Sequence, residues 1–200
     1  MMFRIGLIVA ASLFYFGLPA KADIDPCDTL AANPPDPDRV TEGISRSAMD
    51  LDAAIEACRA ATEREPNEPR FAYQLGRALF YTGDINAALD YFGRAVDLGY
   101  RQAEFVMGAV INNRREGVPY DVCKIEEYWL SSARKEHLHA RISYVRHLTK
   151  GYFENCEIGA SDDEIRQFID LNPTGSNSYF QRLLVEDLKE DVNRYLSDEN

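Results

Sequence analysis

Basic residues are scarce in this sequence: 22 Lys and Arg stand against 33 Asp and Glu, for a formal net charge of −11. An acidic chain without a basic stripe is poorly suited to nucleic acid or to anionic membrane surfaces, and neither is expected as a partner. Past the N-terminus no run is apolar enough to span a bilayer, so no membrane insertion of the remaining chain is expected. Histidine is rare, at three residues, and no two have the four-residue spacing of a helical zinc site. His137 and His139 would diverge by about 200° on a helix, while His139 and His147 would sit roughly 12 Å apart along one. No metal and no other cofactor is expected. There is no phosphate-binding glycine loop and no G-x-S-x-G elbow. From Asp50 onward the alternation that marks strands is almost missing.

The first 22 residues are a different kind of segment. Arg4 precedes an apolar run from Ile5 to Leu18, and Ala20 and Ala22 form a small-x-small pair. That is the three-part layout of a secretory signal peptide, cut after Ala22. The run is shorter than the ~20 residues a spanning helix needs. A periplasmic or secreted location follows as the expectation. Removing residues 1–22 takes away Arg4 and Lys21 and no acid, so the chain becomes more acidic still.

Four cysteines remain: Cys27, Cys58, Cys123 and Cys156. An even number in an exported chain favours disulfides, and sequence alone leaves three connectivities open. Cys123 also stands close upstream of His137 and His139, which raises a hydrolase with a Cys/His pair as the alternative reading. Such a nucleophile needs an oriented base, a third group and an oxyanion hole. The sequence carries no local signature for any of them, so no enzymatic activity is expected.

Helical patterning dominates the middle of the chain. Leu51, Ala54, Ile55, Cys58 and Ala61 recur at the three- and four-residue spacing of a buried helix stripe. Pro66 and Pro69 stop that helix and open the next, whose stripe runs Ala72, Leu75, Gly76 and Leu79 before Gly83 closes it. Asp84 is positioned to cap a third helix with Ile85, Ala88, Leu89, Phe92, Ala95 and Val96 on its apolar face. The pattern then repeats. Ala54, Cys58, Ala61 and Pro66 return 34 positions later as Ala88, Phe92, Ala95 and Tyr100, with only the last term out of character.

On these residues the chain resembles two related families. Leu75-Gly76, Leu79, Ala88, Phe92 and Ala95 fall where the signature of a tetratricopeptide repeat falls, although Ala72 departs from it. Ala103, Gly108, the Gly117-Val118-Pro119 turn, Asp121, Lys124, Trp129 and Ala133 resemble a Sel-one-like repeat, and Ala140 restarts the pattern. The resemblance implies an all-α fold, a short α-solenoid of antiparallel helix pairs over residues 50–150. Residues 23–49 read as an N-terminal segment with a degenerate first helix that covers the first repeat. Residues 151–200 read as capping helices. There Ser161 and Glu164 form a capping box, and Phe180, Leu183, Leu184, Leu188, Val192 and Leu196 make one stripe.

A stacked array would bring positions about one repeat apart to the same edge of adjacent units. That favours Cys27–Cys58 and Cys123–Cys156, although in some secreted Sel-one-like proteins the bridges join helices within a repeat. The resemblance also implies a concave groove lined by the inner helices. Projected onto this sequence, its exposed positions are Arg70, Tyr73, Arg77 and Phe80, then Gln102, Phe105, Ala109 and Asn112, then His139, Ile142, Arg146 and Thr149. Arginines and aromatics on one face of an acidic protein suit an extended peptide or an acidic tail. The expected function is thus a scaffold or regulator that binds a protein or peptide partner.

Overall fold

The computed structural model describes residues 23–156, 159–170 and 179–198, without the side chains of 179–182 and 198. The expected signal peptide, residues 1–22, lies outside the described residues. Among the described residues the protein is all helical, with no strand. The helices are α1 (Pro26–Ala31), α2 (Leu51–Arg64), α3 (Pro69–Thr82), α4 (Ile85–Asp97), α5 (Arg101–Asn112), α6 (Val122–Arg134), α7 (Leu138–Leu148), α8 (Asp162–Ile169) and α9 (Tyr179–Asp198). From α2 to α9 each helix packs on the next in sequence; α1 also reaches α3, and α9 also reaches α7.

Local chemistry sets the boundaries. Asp84 accepts the Ala87 N–H, Asp121 accepts those of Cys123 and Lys124, and Ser161 and Glu164 form a reciprocal capping box. Each satisfies helix-start donors that have no partner within the helix. At the other end of α3, Gly83 takes the left-handed conformation that closes a helix.

Neighbouring helices are joined by one device used twice. A Cβ at Gly76 would stand 2.7 Å from Phe92 Cδ1, and a Cβ at Gly108 would stand 2.5 Å from Trp129 Nε1. A large ring on the second helix fills the space left by a missing side chain on the first. Trp129 then donates its indole N–H to the Phe105 carbonyl at 3.1 Å. Around these contacts the buried apolar residues form two clusters. One runs from Cys27 to Ala103 across α1–α5, the other from Ile111 on α5 to Leu196 on α9.

At the C-terminal end the sequence stripe needs a correction. Leu188, Val192 and Leu196 are buried and Leu184 is half-buried, but Leu183 faces solvent and Val185 points inward instead. The face of α9 that meets α7 and α8 is rotated from the expected one. Phe180 lies outside the described side chains.

Candidate functional site

The side of α3 that carries the first projected groove residues is covered by the protein's own N-terminal segment. Asp25 caps α1, Pro26 sits at its first position, and Asp28 completes a capping box, so a short helix forms in a stretch rich in proline. Its Cys27 is bonded to Cys58 on α2. The segment then runs along α3 and reaches the start of α5.

Four of the projected groove residues are therefore buried rather than exposed. Arg70 donates its Nε–H to Asp28 Oδ1 at 3.0 Å, and Gln74 Nε2 donates to the same oxygen at 3.0 Å. Asp28 is fully buried and Arg70 only 7% exposed, and Arg70 also pairs with the half-exposed Glu68 at 2.8 Å. Loss of Arg70 is the costly side, because Asp28 would be left buried without a positive partner, whereas Arg70 keeps Glu68. Arg77 reads main chain: Nη1 donates to the carbonyls of Ala31 and Ala32 at 3.0 and 2.9 Å, and Nη2 donates to that of Ile44 at 2.7 Å. Tyr73 and Gln102 lie in the same layer. Asn33 Nδ2 donates to Tyr73 Oη at 2.9 Å, and Gln102 Nε2 donates to it at 3.2 Å. Burial of Tyr73 pushes its phenol up, far from ionisation.

This layer continues into α7. His137 caps that helix, and its Nδ1 accepts the Ala140 N–H at 3.1 Å. The ring proton is therefore on Nε2, which donates to Gln102 Oε1 at 2.8 Å. A buried polar chain thus joins Asn33, Tyr73, Gln102 and His137, linking the N-terminal segment to the starts of α5 and α7. Burial first, then the neighbouring His139 and Arg101, pulls the His137 pKa down to about 4, so the ring is neutral. The segment holds α5 at two more points. Tyr100 donates its hydroxyl to the buried Asp36 at 2.7 Å, and the Arg101 guanidinium grips the Asp38 carboxylate.

The remaining projected positions keep part of their surface. Phe80 is half-buried beside Phe92, with the Arg115 guanidinium over its ring at 4.4 Å. Phe105 stacks on His137 at 4.8 Å and meets His139 at 6.0 Å. Phe105, Ala109, Asn112, His139, Ile142, Arg146 and Thr149 are all half-buried. The face is divided: α3 is occupied, while α5 and α7 remain partly open.

The histidines and cysteines do not form a catalytic pair. Because His137 is a cap, it and His139 are not set apart by a helix turn; both rings pack around Phe105, 6.0 Å from each other. His147 packs edge-on against Trp129. Cys123 is bonded to Cys156, and none of the four cysteines is free. A thiol nucleophile at Cys123 is thereby removed. Among the described residues no three His, Cys, Asp or Glu are grouped to hold a metal ion, and no helix is long and apolar enough to cross a membrane. Two disulfides are suited to an oxidising, extracytoplasmic environment.

Sequence reasoning missed the partners of the groove residues, namely Asp28 for Arg70, Asn33 for Tyr73 and the main chain of Ala31, Ala32 and Ile44 for Arg77. One signal was legible: Asp25-Pro26 followed by Asp28 is a helix-start pattern beside a cysteine. No protein-family model matches the chain, and no curated protein matches its sequence.

Proposed function

We propose that the protein is a periplasmic or secreted interaction module, a short α-solenoid that binds a protein or peptide partner along the inner faces of α5 and α7. One observation carries the reading. The α3 side already holds a folded-back stretch of its own chain through side chain to main chain bonds: Arg77 is bonded to the carbonyls of Ala31 and Ala32 at the end of α1 and to that of Ile44, where the segment returns. That is how a helical array would hold a peptide of any sequence, with pockets and charges adding choice. The row continues past the end of the N-terminal segment as Phe105, Ala109, Asn112, Ile142 and Arg146, apolar in part and half-exposed.

This placement changes which substitutions test the idea. Arg70→Glu or Arg77→Glu would break buried contacts and lower stability, so neither reports on binding. Arg146→Glu together with Asn112→Arg alters only half-exposed side chains, where changes usually cost less than about 0.5 kcal/mol. The double variant is expected to keep the wild-type melting temperature and to lose the envelope protein that a photocrosslinking residue at position 109 captures. Capture that persists in the double variant places the binding face elsewhere.

A further inference from the structure

A cleft of about 770 Å³ lies between α6 and the residues Asn155, Cys156 and Gly159, apart from every residue of the inner face. Its volume is in the range of small-molecule sites. The Cys123–Cys156 disulfide and Leu130 give it an apolar wall, and four charged side chains border it: Glu126, Glu127 and Arg134 of α6 and Lys135 just past its end. Three of those four are already matched. Glu127 pairs with Lys124 at 2.7 Å. Arg134 pairs with Glu164 at 2.9 Å and donates to the Gly159 carbonyl. Lys135 pairs with Glu104 at 2.5 Å and donates to the Gly99 carbonyl at 3.1 Å.

Glu126 is the exception. It is 3% exposed, yet its Oε1 has no hydrogen-bond partner among the described residues. A buried carboxylate oxygen left unpaired costs the full desolvation of the charge. Protonation relieves part of that cost, and a cation supplied from outside relieves it with the carboxylate charged; the nearby Tyr144 hydroxyl, itself without a hydrogen-bond partner among the described residues, is neutral, and neither basic side chain of the wall is free.

We propose that this cleft is a binding site for a small organic monocation, an alkylammonium or alkylguanidinium group whose charged head pairs with Glu126 while its alkyl body lies on Leu130 and the disulfide. One unmatched carboxylate calls for one positive charge, and the apolar wall favours a short carbon chain over a bare metal ion. The same head group occurs on free amines and on lysine or arginine side chains of a polypeptide. Burial drives the Glu126 carboxyl up to about 7, as expected of a site that lacks its counter-charge.

The test is calorimetric titration of residues 23–200, disulfides intact, with butylguanidinium and butylammonium as free cations. N-acetyl-lysine amide represents the polypeptide source, and neutral butylurea serves as the isosteric control. A cation is expected to saturate the wild type, with butylurea inert. Glu126→Gln is expected to weaken binding about thirtyfold or more, the loss that follows truncation of a desolvated charge pair. Glu127→Gln, whose partner is Lys124, is expected to leave binding unchanged. If N-acetyl-lysine amide binds more tightly than both free cations, the source is a polypeptide; the reverse order assigns the site to a free amine. Equal binding of butylurea, undiminished binding by the Glu126→Gln variant, or no saturation by any of the three cations overturns the proposal.

Discussion

Asp36 is an aspartate held at 1% exposure, with two donors on its carboxylate: the Tyr100 hydroxyl at 2.7 Å and the Asp38 N–H at 3.0 Å. Burial outweighs both bonds and raises its pKa from 3.8 to about 6. The sign follows from the raised value. The native state takes up a proton more readily than the unfolded chain, so Asp36 adds stability as pH falls and withholds it above 6. Between pH 7 and pH 4 that gain is about 2 kcal/mol. Asp36→Asn lacks it, so the stability of the variant relative to wild type is expected to drop by about that amount across the same interval. Urea unfolding at pH 7 and pH 4 measures the shift, and a constant difference would mean that Asp36 titrates normally. His137 has the opposite sign. Its lowered pKa gives stability that is present above the ordinary histidine value and lost as pH falls toward 4. Asp36 and His137 therefore respond to acid in opposing directions.

At the scale of elements, the helix pairs depend on where a side chain is missing. Gly76 meets Phe92 between α3 and α4, and Gly108 meets Trp129 between α5 and α6. Gly76→Ala and Gly108→Ala both improve intrinsic helix propensity by roughly 1 kcal/mol, which taken alone would stabilise. The clash works against it, since forcing a methyl against a ring in a packed core costs about 1–3 kcal/mol. Net destabilisation is expected for both, largest for Gly108→Ala, where the clash is with an indole held in place by its bond to Phe105. Thermal unfolding of the two variants decides the matter; a raised melting temperature would show that the rings move aside freely. These elements were the most legible part of the sequence. Helix positions and caps follow from local spacing, because each involves residues close in the chain; the glycine–ring contacts join residues of different helices and were not read from it. Leu183 on α9 was misplaced for the complementary reason. Which side of a terminal helix meets the core depends on α7 and α8, far away in sequence.

For the whole molecule, the two disulfides differ in what they fasten and in how water reaches them. Cys27 and Cys58 are completely buried and tie the N-terminal segment to α2 beneath the α3 face. Cys123 is exposed and Cys156 half-buried, at the rim of the α6 cleft. Mild reductant on the native protein is expected to free two thiols, Cys123 and Cys156, with helix content retained; Cys27 and Cys58 should react only after unfolding. Alkylation followed by peptide mass mapping reads this directly, and early labelling of Cys27 would mean that the N-terminal segment lifts off α3. Loop-closure entropy gives each bridge about 3–4 kcal/mol. Loss of the buried one is expected to be the more damaging, because the Asp28–Arg70 pair and the Arg77 contacts depend on the segment that it anchors.

The helical class, the caps and a cysteine set suited to two bridges were legible in the residues alone. Those features are local, or repeat at a fixed period, and periodicity is visible in a string of letters. Only the tertiary structure decided who occupies the inner face. Arg70, Tyr73, Arg77 and Gln102 have the types and positions of exposed groove residues, and nothing local distinguishes an arginine facing water from one facing Asp28. The difference comes from a segment more than forty residues earlier folding back across α3. Likewise Glu126 reads as one of two adjacent solvated acids until the packing of α6 buries it and leaves Glu127 with Lys124. Charge and spacing are written in the chain, but burial is a property of the assembled fold, and burial decides which of its polar groups still lacks a partner.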